Sequence, residues 1–64
     1  MKIIDINSEQ YNRLQFDRRE LLTLDNDNAE AMAEAWFKYL RYPKDTVVYR
    51  YVRENGIKWL VEEV

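Results

Sequence analysis

Few side chains in this chain could carry chemistry. The 64 residues include no histidine and no cysteine, which removes the ordinary neutral-pH base and the thiol nucleophile. Ser8, Thr23 and Thr46 supply the aliphatic hydroxyls, and each reads more simply as a helix cap or a strand-favouring residue. Carboxylates are plentiful, but a working acid–base pair needs a pocket that shifts its pKa values. A chain this short hides only ~60% of the surface its unfolded form exposes, so it can hardly wall one off. The sequence therefore reads as non-enzymatic, with no catalytic residue, no cofactor and no metal ligand assigned.

One acidic run imitates a metal site. Asp25-Asn26-Asp27-Asn28-Ala29-Glu30 opens like a calcium loop, with oxygen ligands at the first and third positions. The pattern then breaks. Ala29 takes the fifth position, Glu30 replaces the turn glycine, and Trp36 stands where a bidentate glutamate is needed. Acids just before a helix are better explained by capping and by the positive end of the helix dipole.

Charge is distributed unevenly. The chain is net −2, yet residues 38–53 hold five basic side chains and one acidic, a block of net +4. Lys38, Arg41, Lys44, Arg50 and Arg53 alternate there with Tyr39, Tyr42, Tyr49 and Tyr51. Tyrosine with arginine suits a protein interface; it also suits single-stranded nucleic acid, whose phosphates attract the cations and whose bases stack on the rings. The overall acidic balance favours protein. The contact residues expected from this block and its neighbouring strand are Tyr42, Tyr49, Arg50, Tyr51, Arg53, Lys58 and Leu60.

Recurrent apolar residues define the elements that position this block. Ala29, Met32, Ala33, Trp36, Phe37 and Leu40 recur at helical spacing, predicting a helix over Asn28–Arg41 that starts at an Asp27/Glu30 capping box and stops before Pro43. Thr46–Arg53 and Ile57–Val64 are β-rich runs separated by Glu54-Asn55-Gly56, and Asn-Gly favours a type I′ hairpin turn. With Asn55-Gly56 as the loop, Val52 faces Trp59 and Tyr51 faces Leu60. One hairpin face then carries Val48, Val52, Ile57, Trp59 and Val61. The other carries Val47, Tyr49, Tyr51, Leu60 and Val64, with Arg53, Lys58 and Glu62 among them. Lys2–Ile6 reads as a strand, Ser8–Phe16 as a short helix capped by Asn7 or Ser8, and Glu20–Leu24 as a strand that could equally continue the helix.

The expected fold is one α+β domain over residues 1–64. It has an antiparallel sheet around the C-terminal hairpin, the main amphipathic helix on one face, and Trp36 meeting Trp59 in the core. The tyrosine-bearing face is expected to be covered by another chain, either a second copy or a different protein. A secreted domain of this size normally carries disulfides, and no apolar run approaches the ~20 residues of a membrane span, so a cytoplasmic protein without membrane association is expected. Its expected role is that of a small inhibitor or adaptor binding a larger protein, for example a nucleic-acid-processing enzyme, and a bacteriophage or mobile-element source is compatible with its size. The alternative is a nucleic-acid-binding module using residues 38–53. For the acidic run, a calcium titration should leave circular dichroism and melting temperature unchanged; a rise in melting temperature would restore the metal reading.

Overall fold

The computed structural model describes residues 1–15, 18–25 and 27–62. The elements run β1 (Lys2–Ile6), α1 (Ser8–Leu14), β2 (Arg19–Leu24), α2 (Ala29–Leu40), β3 (Val47–Arg53) and β4 (Gly56–Val61). This is an α+β fold of two helices and a four-stranded mixed sheet ending in the β3–β4 hairpin. The parts of the expected elements at Phe16, Glu63 and Val64 lie outside the described residues.

The sheet order is β1-β3-β4-β2. Both hairpin strands lie at its centre, with β2 antiparallel to β4. The expectation of an all-antiparallel sheet fails at β1, which pairs parallel to β3 through Ile3↔Val48 and Asp5↔Arg50. Alternation specifies which face a side chain takes but not the direction of the neighbouring strand. From β1 the chain crosses to the far edge through α1 and returns to β3 through α2. Because these crossovers travel in opposite directions, a common handedness sends their helices to opposite faces.

The hairpin register is displaced from expectation by two residues. Arg53 pairs with Gly56, Val52 with Ile57, and Arg50 with Trp59, so Glu54-Asn55 forms the loop. An even displacement leaves every side chain on its expected face. Positive φ among the described residues belongs to Asn28 and Arg41, so Asn55-Gly56 does not adopt the type I′ conformation. Gly56 serves another need: a Cβ there would lie 2.5 Å from the Leu24 carbonyl oxygen on β2. Its missing side chain lets β2 and β4 close together.

Asn7 caps α1. Its side chain accepts from the Gln10 N–H while the Gln10 side chain accepts from the Asn7 N–H, satisfying two donors that the first turn leaves open. At α2 the expected Asp27 capping box is not formed. Asn28 occupies the N-cap in a left-handed conformation, with φ 60° and no side-chain cap bond. Arg41 closes the other end at φ 53°, its N–H donating to the Phe37 carbonyl.

Ala29, Ala33 and Phe37 of α2 pack with Val48, Ile57, Trp59 and Val61 of the sheet, bordered by Leu21, Leu22, Leu24 and Tyr42. Phe37 meets Trp59 edge to face at 5.3 Å. Trp59 is 1% exposed, whereas Trp36 is 40% exposed, so the expected pairing of the two tryptophans is corrected. Met32, Trp36, Phe37 and Ala33 span roughly 140° of arc at 3.6 residues per turn, more than α2 buries on this sheet. Two alanines let the helix approach closely, and the bulkier residues are turned aside. Trp59→Ala should therefore cost ~3–5 kcal/mol in urea denaturation, as core aromatic truncations do, and Trp36→Ala within about 1 kcal/mol. Equal losses would refute this division.

Candidate functional site

The expected contact residues divide between the two sheet faces. Tyr49, Tyr51, Arg53, Lys58 and Leu60 belong to the face beneath α1, whereas Arg50 belongs to the face beneath α2. Tyr42 follows α2 and sets its ring against Phe37, edge to face at 6.4 Å. It also lines an open cleft of about 570 Å³ with Arg19, Asp45 and Glu62.

The α1 face is largely occupied by the chain itself. Tyr11 of α1 stacks on Tyr51, with centroids 4.8 Å apart and ring planes 26° apart. Lys58 lies over the Tyr11 ring and donates to its hydroxyl at 3.1 Å; that hydroxyl donates onward to Glu20. The Tyr11 hydroxyl and the nearby Glu20 carboxylate hold the Lys58 ammonium pKa above its usual value. Tyr49 donates to Glu62, and Arg18 both pairs with Glu62 at 3.1 Å and lies over the Tyr49 ring. Leu60 is fully buried under this layer. The covering expected from another chain is thus supplied in large part by α1 and Arg18. The sequence signal for it was Tyr11, the residue of the α1 stripe that reaches the sheet tyrosines.

Arg50 is similarly committed. Its guanidinium makes a two-point contact with Asp5 on β1, reaches Glu30 of α2 at 2.9 Å, and lies over the Trp59 ring. Hydrogen bonding to Arg50, reinforced by its charge, holds the Asp5 carboxyl below its ordinary pKa, and Asp5 raises that of Arg50 in return. The basic, tyrosine-rich block therefore does not become one continuous surface.

A different surface remains open. Ala31, Met32, Ala35, Trp36, Tyr39 and Leu40 are all exposed; Met32 is 57% and Tyr39 76% accessible. Trp36 and Tyr39 stack on one another at 6.0 Å. Met32, Trp36, Tyr39 and Leu40 stand at i, i+4, i+7 and i+8, the spacing of one helix flank. The charges of α2, at Glu30, Glu34 and Lys38, lie on the other flank, where Glu30 meets Arg50 and where Glu34 and Lys38 line a groove with Met1 and Ile3 of the β1 side; at the C-terminal end Lys38 also borders Ala35, Tyr39 and Leu40. The uncharged flank accordingly points away from β1. Sequence reasoning assigned Met32, Trp36 and Leu40 to the core and Tyr39 to the basic block, and passed over Ala31 and Ala35.

Among the described residues no His, Cys, Asp and Glu cluster could hold a metal, and no helix is long and apolar enough to cross a membrane. Compared with family models, with curated proteins and with solved structures, the chain gives no significant match.

The Asp5–Arg50 contact implies a pH dependence. A carboxyl whose pKa is depressed by folding contributes stability above its unfolded value, and that contribution disappears as pH falls through the folded one. Wild type should lose more stability than Asp5→Asn between about pH 5 and pH 2 in urea denaturation. Identical losses would show that Asp5 is not linked to folding.

Proposed function

We propose that this chain is a small, non-catalytic protein-interaction module, an inhibitor or adaptor that inserts the uncharged flank of α2 into an apolar groove on a larger protein. One observation carries the reading. A helix face turned to water ordinarily bears charge, yet this one offers Met32, Trp36, Tyr39 and Leu40, with Ala31 and Ala35 along one side of them. Anchors at i, i+4 and i+7 are those by which an amphipathic helix enters a groove. Tryptophan and tyrosine are also residue types that dominate interface energetics. The alanines beside them let a partner's wall approach the helix backbone along that side.

The choice of this flank over the tyrosine-bearing sheet face follows from what each would lose on binding. Tyr51, Tyr49 and Arg50 already have partners within the chain, so a new contact would first have to displace Tyr11, Arg18 or Asp5. Trp36 and Tyr39 stack on each other at the surface, and a partner can cover both rings where they stand. Acting by occupancy also suits a chain without imidazole or thiol.

Affinity capture from cell lysate should retain a specific protein with wild type and with Tyr49→Ala. Trp36→Ala/Tyr39→Ala should reduce capture at least about tenfold, a loss of 1.4 kcal/mol or more, while keeping its circular dichroism spectrum. Undiminished capture by the folded double variant would refute the α2 surface. Fluorescence anisotropy with single- and double-stranded oligonucleotides at low salt should detect no binding; micromolar binding that weakens steeply with salt would instead support a nucleic-acid module.

A further inference from the structure

The two outer strands of the sheet differ in how well their open edges are guarded. Exposed edges are commonly protected by bulges, prolines or outward charge. β2 has a register irregularity between Glu20 and Leu22 and carries Arg19 and Glu20. β1, Lys2-Ile3-Ile4-Asp5-Ile6, pairs regularly with β3 and contains neither bulge nor proline. Its charges are Lys2 at its first position and Asp5, which is held by Arg50, so the bulge is what sets the two edges apart.

The direction of the β1 backbone groups follows from one hydrogen bond. Lys2 N–H donates to the Thr46 carbonyl at 2.9 Å, so the backbone of Lys2 is directed at β3, as are those of Ile4 and Ile6 by alternation. The N–H and C=O of Ile3 and Asp5 are directed outward. Ile3, 41% exposed, stands beside this edge.

We propose that β1 is a self-association edge, and that two copies of the chain pair their β1 strands antiparallel about a two-fold axis at Ile4. In that register Ile3 of each copy lies opposite Asp5 of the other. Each such pair can exchange both N–H···O bonds, so every outward group of Ile3 and Asp5 acquires a partner. Lys2 falls opposite Ile6, and Ile4 opposite its own copy; no like charges meet. The same axis is compatible with α2. Glu30 lies at the Asp5 end of β1, whereas Lys38 and Arg41 share a groove of about 440 Å³ with Met1 and Ile3 at its other end. The charged flank thus runs from Glu30 at one end to Lys38 and Arg41 at the other, antiparallel to β1, and the two-fold sets the Glu30 end of each copy towards the Lys38 and Arg41 end of the other. This sign complementarity selects a second copy over a foreign extended segment. The result is one eight-stranded sheet, β2-β4-β3-β1 continued by β1-β3-β4-β2.

The uncharged flank of α2 points away from β1, so it stays open in both copies. The dimer would present two such surfaces related by symmetry. The self-association stands independently of what that flank binds.

Sedimentation equilibrium from micromolar to millimolar concentration should show the 7.9 kDa chain shifting towards twice its mass. Ile3→Glu, which sets a carboxylate opposite Asp5, should raise the dissociation constant at least about tenfold. Lys38→Glu/Arg41→Glu, which sets acids towards Glu30 of the other copy, should also weaken the dimer. Ile3→Pro, which removes an outward donor but no bond to β3, should abolish association; if it unfolds by circular dichroism, Ile3→Glu and the charge reversal decide. A wild type that stays monomeric at millimolar concentration would overturn the proposal. So would a dimer indifferent to folded Ile3→Glu, or one dissociated by Trp36→Ala/Tyr39→Ala, which would move self-association to α2.

Discussion

The close seat of α2 on the sheet is the constraint from which most of this structure follows. Ala29 and Ala33 bring the helix axis near the strands, and Phe37 fills the space over Trp59. A larger residue at either alanine would hold α2 away and open voids around the indole, which dense interiors do not tolerate cheaply. Once those three positions set the helix rotation, the rest of its surface is determined. Glu30 is delivered to Arg50, while Met32, Trp36 and Tyr39 are rotated into solvent. The core contact and the exposed flank are thus two consequences of one orientation.

Arg50 shows how a small fold can use a cation within its sheet. The residue lies on the apolar side of β3, where an isolated charge would be costly. Its side chain instead extends past Trp59 to the edge, where Asp5 and Glu30 receive it. Asp5 is on β1 and Glu30 on α2, so one guanidinium ties the outer strand and the helix to the centre of the sheet. On the opposite face Lys58, Tyr11 and Glu20 make a comparable link between β4, α1 and β2. In a chain with no cysteine, these polar ties accompany the apolar core on the α2 side and the buried Leu60 on the other.

Much of the fold was legible because local patterns and tertiary needs agree. β-rich runs on either side of Asn55-Gly56 identified β3 and β4, Lys2–Ile6 read as the strand β1, and the even register displacement preserved both hairpin faces. The uncertain Glu20–Leu24 segment became a strand because it completes the sheet beside β4, a need no local window contains. Strand direction at β1 was invisible for the same reason. Trp36 was misplaced because an amphipathic arc records which residues are apolar, not how wide a strip the opposing surface can accept. The tyrosine and arginine block was visible as composition, but its distribution over two faces and its internal partners depend on α1 and β1. Met32, Trp36 and Leu40, read from the sequence as core, became part of the open surface.

The two helices are secured unequally. α2 contributes Ala29, Ala33 and Phe37 to the interior, whereas α1 has no fully buried residue and makes its aromatic contact with the sheet through Tyr11. Local opening follows such differences in apolar anchorage. Amide hydrogens in α1 will consequently exchange with solvent deuterium sooner than those of β4, and transient lifting of this short helix will unveil Leu60 without dismantling the layer around Trp59.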